Sequence, residues 1–325
     1  MTIKKLSALL LVVIMAFTFC ACGEETNNDV VKVGIVQLVK HDALDKAYEG
    51  FVAGLKEAGY SEEAGNIKID YQVATGKNDE CATIANKLVG DKNDVILAIA
   101  TGAAQAAVNA TTEIPIFVTA VTNPEGDCPG PNVSGTSDLG PVAKQVEFAK
   151  EICPEIQTLG ILYNSSEKNS VFQADLVKKA ADAIGLAYKE YTITAATEIA
   201  STVESMRNEV QVCWIPTDNT CASNMPTIKS AAEDAGVMTI CAESGMVGKG
   251  GLVTCGAIDY FELGKQTAAM AVKVIKGEKT VADLPIEFQQ FGDELEVVIN
   301  TDVAAAFEIP QSVLDKAKKV TTSAE

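Results

Sequence analysis

The sequence predicts an α/β protein of two doubly wound parallel-sheet lobes, and three observations lead there. Apolar, β-branched runs of strand length alternate with helical stretches along most of the chain, which argues for parallel sheets covered on both faces. The alternation occurs twice, with a break near Pro154. The chain has 325 residues, and at about 100–200 residues per domain that calls for two cores.

Each element has its own justification. Val30–Val36 is a β-branched run and reads as a buried strand. Ala43–Ala58 carries Leu44, Ala47, Phe51 and Leu55 at helical spacing and is ended by Gly59. Strands are expected at 67–73, 94–100 and 116–119, with helices at 79–91 and from Thr101 onward. The second half repeats the grammar. Helices are expected at 145–152, 170–184, 199–207, 225–235 and 261–275, and strands at 158–163, 187–192, 210–215, 238–241 and 251–255. Extended chain returns at 288–299, and a last helix fits 313–319.

Apolar residues at 47% and charged residues at 22% give a globular composition and exclude a mostly disordered chain. Net charge is −18, which repels phosphate backbones, so nucleic acid is not an expected partner. His41 is the single histidine, which excludes a His-rich metal site and any Ser–His–Asp system with its histidine elsewhere. Of the nine cysteines none forms a CxxC pair, so neither a zinc ribbon nor a thioredoxin motif is supported. No metal and no cofactor is expected.

The first segment reads as removable. Lys4 and Lys5 precede the uncharged apolar run Leu6–Phe19, which is short for a membrane span and suits a signal-peptide core. Ala21 before Cys22 resembles a bacterial lipoprotein signal: residues 1–21 removed, Cys22 acylated, and 22–29 left as a polar tether. Phe19 and Cys20 depart from the usual pattern, and plain secretion is the alternative. Losing Lys4 and Lys5 takes the net charge from −18 to −20, so a tethered protein stands off an anionic membrane. Localisation is then the outer face of the cell membrane, with membrane contact through the lipid only. Seven cysteines remain after Cys22. For an exported chain they imply either a low-oxygen habitat or one or two unassigned disulfides.

In doubly wound sheets ligands bind beyond the carboxyl ends of strands, so the loops there are the candidate site. Thr101 with the amides of Gly102 and Ala103 opens a helix and suits a ligand carboxylate. Thr119 and Thr122 add hydroxyls. Asp218 and Glu243, in loops of the second half, suit an ammonium group. A carboxylate site facing an amine site describes an amino acid held between lobes. Plainer readings stand beside these. Thr101 and Ser170 serve as N-caps, Asp218-Asn219 as a turn, and His41 and Glu243 as surface-loop residues. Neither GxGxxG after a strand, GxxxxGK[ST] nor GxSxG is present, and the glycines at 245–251 read as a turn before a strand.

Val33-Gly34-Ile35-Val36-Gln37-Leu38-Val39-Lys40-His41-Asp42-Ala43, Thr119-Ala120-Val121-Thr122-Asn123-Pro124, Ile161-Leu162-Tyr163-Asn164-Ser165-Ser166-Glu167 and Pro216-Thr217-Asp218-Asn219 resemble bacterial ABC-transporter substrate-binding lipoproteins of the tryptophan- and tyrosine-binding type. The resemblance implies a type 1 periplasmic-binding-protein fold with a three-crossover hinge. Lobe 1 would be 30–155 plus 256–286, and lobe 2 would be 156–255 plus 287–320. It places ligand contacts on Gln37, His41, Thr101, Thr119, Thr122, Asn164, Ser165, Asp218, Asn219 and Glu243. It further implies an aromatic amino acid as ligand, an ABC permease with its ATPase as partners, a monomer, and no chemistry. Trp214 departs from the family's usual aliphatic residue or Tyr, and is either core or pocket wall. The alternatives are another amino acid or small metabolite, a surface sensor or adhesin, and, less in keeping with the residues, a secreted enzyme using Asp218 or Glu243.

Overall fold

The computed structural model describes residues 30–323. The expected signal segment, the lipidation site Cys22 and the tether lie outside the described residues. Two sheets organise the described chain. The first comprises β1 (Val31–Gln37), β2 (Ile67–Val73), β3 (Val95–Ile99), β4 (Ile116–Val121), β5 (Val133–Ser137) and β11 (Glu287–Phe288), in the order β11-β5-β4-β3-β1-β2. The second comprises β6 (Thr158–Asn164), β7 (Ala187–Ile193), β8 (Val212–Ile215), β9 (Met238–Cys241), β10 (Val253–Cys255), β12 (Val297–Asn300) and β13 (Lys318–Val320), in the order β13-β12-β10-β9-β8-β6-β7. All neighbours run parallel except β10 and β12. The expected α/β class with two parallel-dominated sheets is therefore observed.

The helices are α1 (Asp42–Glu57), α2 (Asn78–Gly90), α3 (Thr101–Ala110), α4 (Val142–Ile152), α5 (Lys168–Ala183), α6 (Met225–Ala235) and α7 (Tyr260–Ile275), with several shorter turns. Most expected elements recur within a few residues. The last helix, expected at 313–319, covers Gln311–Lys316, and Lys318–Val320 is strand β13 instead; the other missed strand is β5. Its sequence, Val-Ser-Gly-Thr-Ser, lacks an apolar run, yet Ser134, Thr136 and Ser137 are buried because their hydroxyls bond within the lobe. The glycine-rich stretch expected as a turn begins with a helical turn, Ser244–Gly248, before β10.

Core packing divides the chain into lobes. Val33, Ile35, Phe51, Leu97 and Phe117 share one core with Leu263 and Ala268 of α7, which defines lobe 1. Val146 and Ile152 of α4 share the other with Leu159, Trp214 and Ile299, which defines lobe 2. The sequence places residues 142–155 in lobe 1 and 287–288 in lobe 2. In the structure α4 lies with lobe 2 and β11 pairs with β5 of lobe 1. The chain thus crosses at 138–141, 256–259 and 289–296. The amphipathic face of α4 is what decides the first crossing, since it has an apolar stripe to bury and finds its partners on the second sheet.

Helices α1 and α7 pack closely across lobe 1. A Cβ on Gly50 would collide with the carbonyl of Phe261, and one on Gly264 with that of Ala47. Only glycine permits that separation. It fixes α7, and with it the second crossover, against the helix that follows β1.

Cys81, Cys128, Cys153, Cys213, Cys221, Cys241 and Cys255 are all free thiols. Burial pushes Cys81 up to about 11 and Cys128, Cys213 and Cys255 up to about 12. These thiols behave as small hydrophobes. Trp214 is fully buried in the lobe 2 core, its indole donating to Gln145 Oε1 at 3.1 Å, which resolves it as core. No helix among the described residues is long and apolar enough to cross a membrane.

Candidate functional site

The loops after β1, β3, β4, β5, β6, β8 and β9 converge between the lobes, as the topology of wound sheets requires. Direct bonds cross the gap. His41 Nε2 lies 3.1 Å from Asn219 Oδ1, Thr122 Oγ1 lies 3.3 Å from Thr217 Oγ1, and Gln173 donates to Thr122 at 3.2 Å. Lys249 reaches Asp42 at 3.4 Å. Asn219 donates its amide to Glu167 at 2.7 Å, so its oxygen is turned to His41. That network assigns the imidazole proton to Nε2. Burial holds the His41 pKa below its ordinary value against the raising effects of Asn219 and nearby carboxylates, so the ring is neutral at pH 7.

Two spaces flank these contacts. An outer cleft of about 550 Å³ is lined by Leu38, Asn78, Thr101, Gly102, Asn164 and Glu167 among others. An inner chamber, with room for about 10 Å³, is bounded by His41, Asp138, Asp218, Asn219, Glu243 and Tyr260 among others. Asn169 and Asn219 belong to both walls. The cleft is within the usual size range of small-molecule sites, whereas the chamber holds about one water.

The lobe 2 wall is built from side-chain carboxylates. Asp218 Oδ2 accepts from the Asn164 amide and from Ser170 Oγ, each at 2.7 Å, and its Oδ1 accepts from the Cys221 amide at 2.8 Å. Glu167 accepts four bonds, from the amides and side chains of Asn219 and Thr220. Glu243 caps the Ser244–Gly248 turn by accepting from the amides of Gly245 and Met246. Asp218 and Glu243 are buried, and desolvation is the main reason each is pushed up to about 7. Charge on Glu167 adds to the shift of Asp218, and the hydrogen bonds oppose it.

The lobe 1 wall is mostly backbone. Ala100 and Ala120 hold φ of 78° and 54°, a left-handed conformation that costs an L-residue about 1–3 kcal/mol. Ala100 follows the last residue of β3, and Ala120 lies within β4, just before its final pair Val121–Ser137. Register shifts between Val118 and Val121, around Ala120. Behind Ala100, the first turn of α3 presents the amides of Thr101, Gly102 and Ala103, which have no partner inside the helix. Asn78 approaches Gly102 so closely that a Cβ there would strike its Oδ1.

The expected site residues therefore separate. His41, Asp218, Asn219 and Glu243 meet at the chamber. Thr101, Gly102, Asn164 and Asn219 face the outer cleft. Thr122 spans the lobes. Four others are turned elsewhere. Gln37 donates to Asp45 and to the Val39 carbonyl and accepts from Tyr71. Thr119 accepts from Thr136, which contacts Thr267 of α7. Ala103 is buried in α3, and Ser165 is exposed, with its hydroxyl toward the Ile193 carbonyl. Asp138, Glu167, Thr217 and Tyr260 join the site without having been singled out. Asp138 follows the unread strand β5, so its loop was not visible as a strand end. Glu167 lay in a recognised loop, but its fourfold bonding has no signature in sequence.

Three carboxyls line the chamber, and no Lys or Arg does. Among the described residues no group of three or more His, Cys, Asp or Glu is arranged to hold a metal. Such a wall suits the N–H donors of an organic cation.

Two lobes joined by three crossovers, with a polar cleft between them, define a periplasmic binding protein of type 1. Residues 32–321 match the family described as ABC transporter substrate binding protein, and the chain belongs to that family. It is a substrate-binding protein and not an enzyme. It is 38% identical over 310 residues to a tyrosine-binding protein of Clostridioides difficile, covering 92% of this chain and 88% of that one. It is 37% identical to an ABC domain from Streptococcus pneumoniae solved in complex with L-Trp, with TM-score 0.82 and coverage of 89% and 99%. A ligand-free, open substrate-binding protein with adhesive properties from Clostridium difficile is 38% identical, with TM-score 0.67 and coverage of 90% and 100%. At matching identity, the whole chain superposes better on the tryptophan complex than on the open form.

Proposed function

We propose that this chain is the solute receptor of an ABC importer, and that it captures an aromatic amino acid between its lobes and delivers it to a permease. One observation carries the reading: Asp138, Asp218 and Glu243 surround one chamber with no cationic side chain among its lining. An α-ammonium group entering there gains charge-assisted bonds in a desolvated setting. The first turn of α3, at Thr101 and Gly102 in the adjoining cleft, suits the carboxylate. Leu38 and Val39 offer apolar wall to a side chain. The relatives named for tyrosine or solved with L-Trp favour an aromatic one.

Closure follows by population shift. A ligand touching both lobes binds the closed form better and stabilises it. Shifting 1:99 to 99:1 takes roughly 5.5 kcal/mol of differential binding, within reach of a few charged hydrogen bonds at about 1.5–3 kcal/mol each. Acylation of Cys22 would keep the receptor at the outer membrane face beside its permease. A thermal-shift screen of residues 22–325 against the twenty amino acids tests the reading. Tyrosine, tryptophan or phenylalanine should raise the midpoint with concentration, and no response to any of them overturns it. A second reading, surface adhesion, is favoured by the adhesive relative. Cell binding that persists when the ligand site is disabled would support it.

A further inference from the structure

Asp138 stands at the first crossover, immediately after β5, and Tyr260 begins α7 immediately after the second. The two are joined: Tyr260 donates its hydroxyl to Asp138 Oδ2 at 2.9 Å, and Thr122 donates to Oδ1 at 2.8 Å. Both residues line the chamber. The carboxyl is thus held at the hinge itself, with each oxygen keeping further acceptor capacity.

We propose that Asp138 is a specificity-determining residue of this site, completing from the hinge a ring of three carboxyls with Asp218 and Glu243 that selects a ligand whose ammonium end enters the chamber. The inference rests on the amino-acid reading above and deepens it. Three elements supply the ring, namely the β5 crossover and the loops after β8 and β9, so the ring is complete only when the lobes are together. Closure and recognition of positive charge then become one event. The other groups facing Asp138 do not supply the cation. Tyr260 is neutral, His41 is neutral, Asp218 and Glu243 are acids, and Lys46 acts only on Glu243, from α1. Burial raises Asp138 above the ordinary carboxylate range, opposed by its two hydroxyl donors. The site should therefore bind an amine more tightly as pH rises through the range where these carboxyls ionise.

The test is titration calorimetry with L-tyrosine and with its deaminated analogue, 3-(4-hydroxyphenyl)propanoate. The Asp138→Asn variant should bind tyrosine at least tenfold more weakly and the analogue within twofold of the parent. Equal losses for both ligands, or an unchanged tyrosine affinity, overturn the proposal while leaving the amino-acid reading intact. A parent protein that binds none of tyrosine, tryptophan and phenylalanine overturns both. Tyr260→Phe keeps the carboxyl and removes one donor to it, so it remains informative if Asp138→Asn fails to fold. Its tyrosine affinity should fall more at pH 6 than at pH 8. An equal fall at the two pH values would mark Tyr260 and Asp138 as structural only.

Discussion

Lobe 2 shapes its half of the cleft with buried carboxylates, whereas lobe 1 shapes its half with backbone. Asp218, Glu167 and Glu243 each accept two or more bonds from loop amides, so the acids that line the cleft and chamber also hold the loops. Lobe 1 relies on two left-handed alanines and the first turn of α3. The difference teaches a division of labour. A wall of amides and small residues suits an anionic group because N–H donors are fixed by the helix. A wall of desolvated carboxyls suits a cation, because an ammonium restores what burial took from them.

The sharpest break of that comparison is Asp218→Asn. The amide cannot accept from both Asn164 and Ser170 and also offer charge to a ligand amine. Amino-acid affinity should fall by about 2–4 kcal/mol by calorimetry, with a smaller stability loss from the weakened cap at Cys221. A change under about 0.5 kcal/mol would mean that lobe 2 does not carry the cationic end.

Ligand-free stability should sharpen the same contrast through pH. Asp218 and Glu243 have folded values near 7, raised above the ordinary carboxylate range. A raised value means the folded state favours the protonated form. Their contribution is complete below about pH 4 and is lost as pH rises through about 7. Surface acids that accept hydrogen bonds act in the opposite sense, so the informative quantity is a difference. Between pH 5 and pH 8 the parent should lose roughly 5 kcal/mol, about half from each acid, relative to an Asp218→Asn, Glu243→Gln double variant, read from melting midpoints. Saturating ligand should erase most of that loss. A difference that does not change with pH would mean that the two acids are ionised in the folded protein.

Much of this architecture was legible because parallel sheets announce themselves. Val31–Gln37 and Val95–Ile99 are β-branched or aliphatic runs bounded by turns, and buried strands need such runs. The loops that follow them were therefore locatable, and with them His41, Thr101, Asp218 and Glu243. What stayed hidden has two physical causes. β5 is buried through hydroxyl bonds instead of apolar side chains, so neither it nor Asp138 behind it carried a hydropathy signal. Side-chain direction is the other. Gln37 and Thr119 end or precede strand ends as expected, yet pleat and local partners turn them to Asp45 and Thr136. Sequence position gives the strand end but not which face of it a side chain occupies.

Glu167→Gln probes the loop-holding half of the comparison by itself. The amide keeps one acceptor oxygen, so two of the four bonds to Asn219 and Thr220 are weakened or lost. Stability should fall by about 1–2 kcal/mol in urea unfolding. Asn219 would no longer be oriented toward His41, so amino-acid affinity should fall with it. Loss of stability with unchanged affinity would show that the loops hold their shape independently of this carboxylate.

The smallest expected effect lies in lobe 1, at Ala120. Its φ of 54° is left-handed, which costs alanine about 1–2 kcal/mol and glycine very little. Glycine also makes the unfolded chain freer, by about 0.4–1 kcal/mol. The two terms nearly cancel, and the net for Ala120→Gly should be a stabilisation of about 0.5 kcal/mol, a rise of one or two degrees in melting midpoint. Affinity should fall slightly, because a more flexible bend at β4 holds the chamber wall less firmly. A destabilisation above about 0.5 kcal/mol would show that the Ala120 methyl is held by packing against the chamber and that strain is not what distinguishes this wall. In that case lobe 1, like lobe 2, would shape its half of the cleft with side chains.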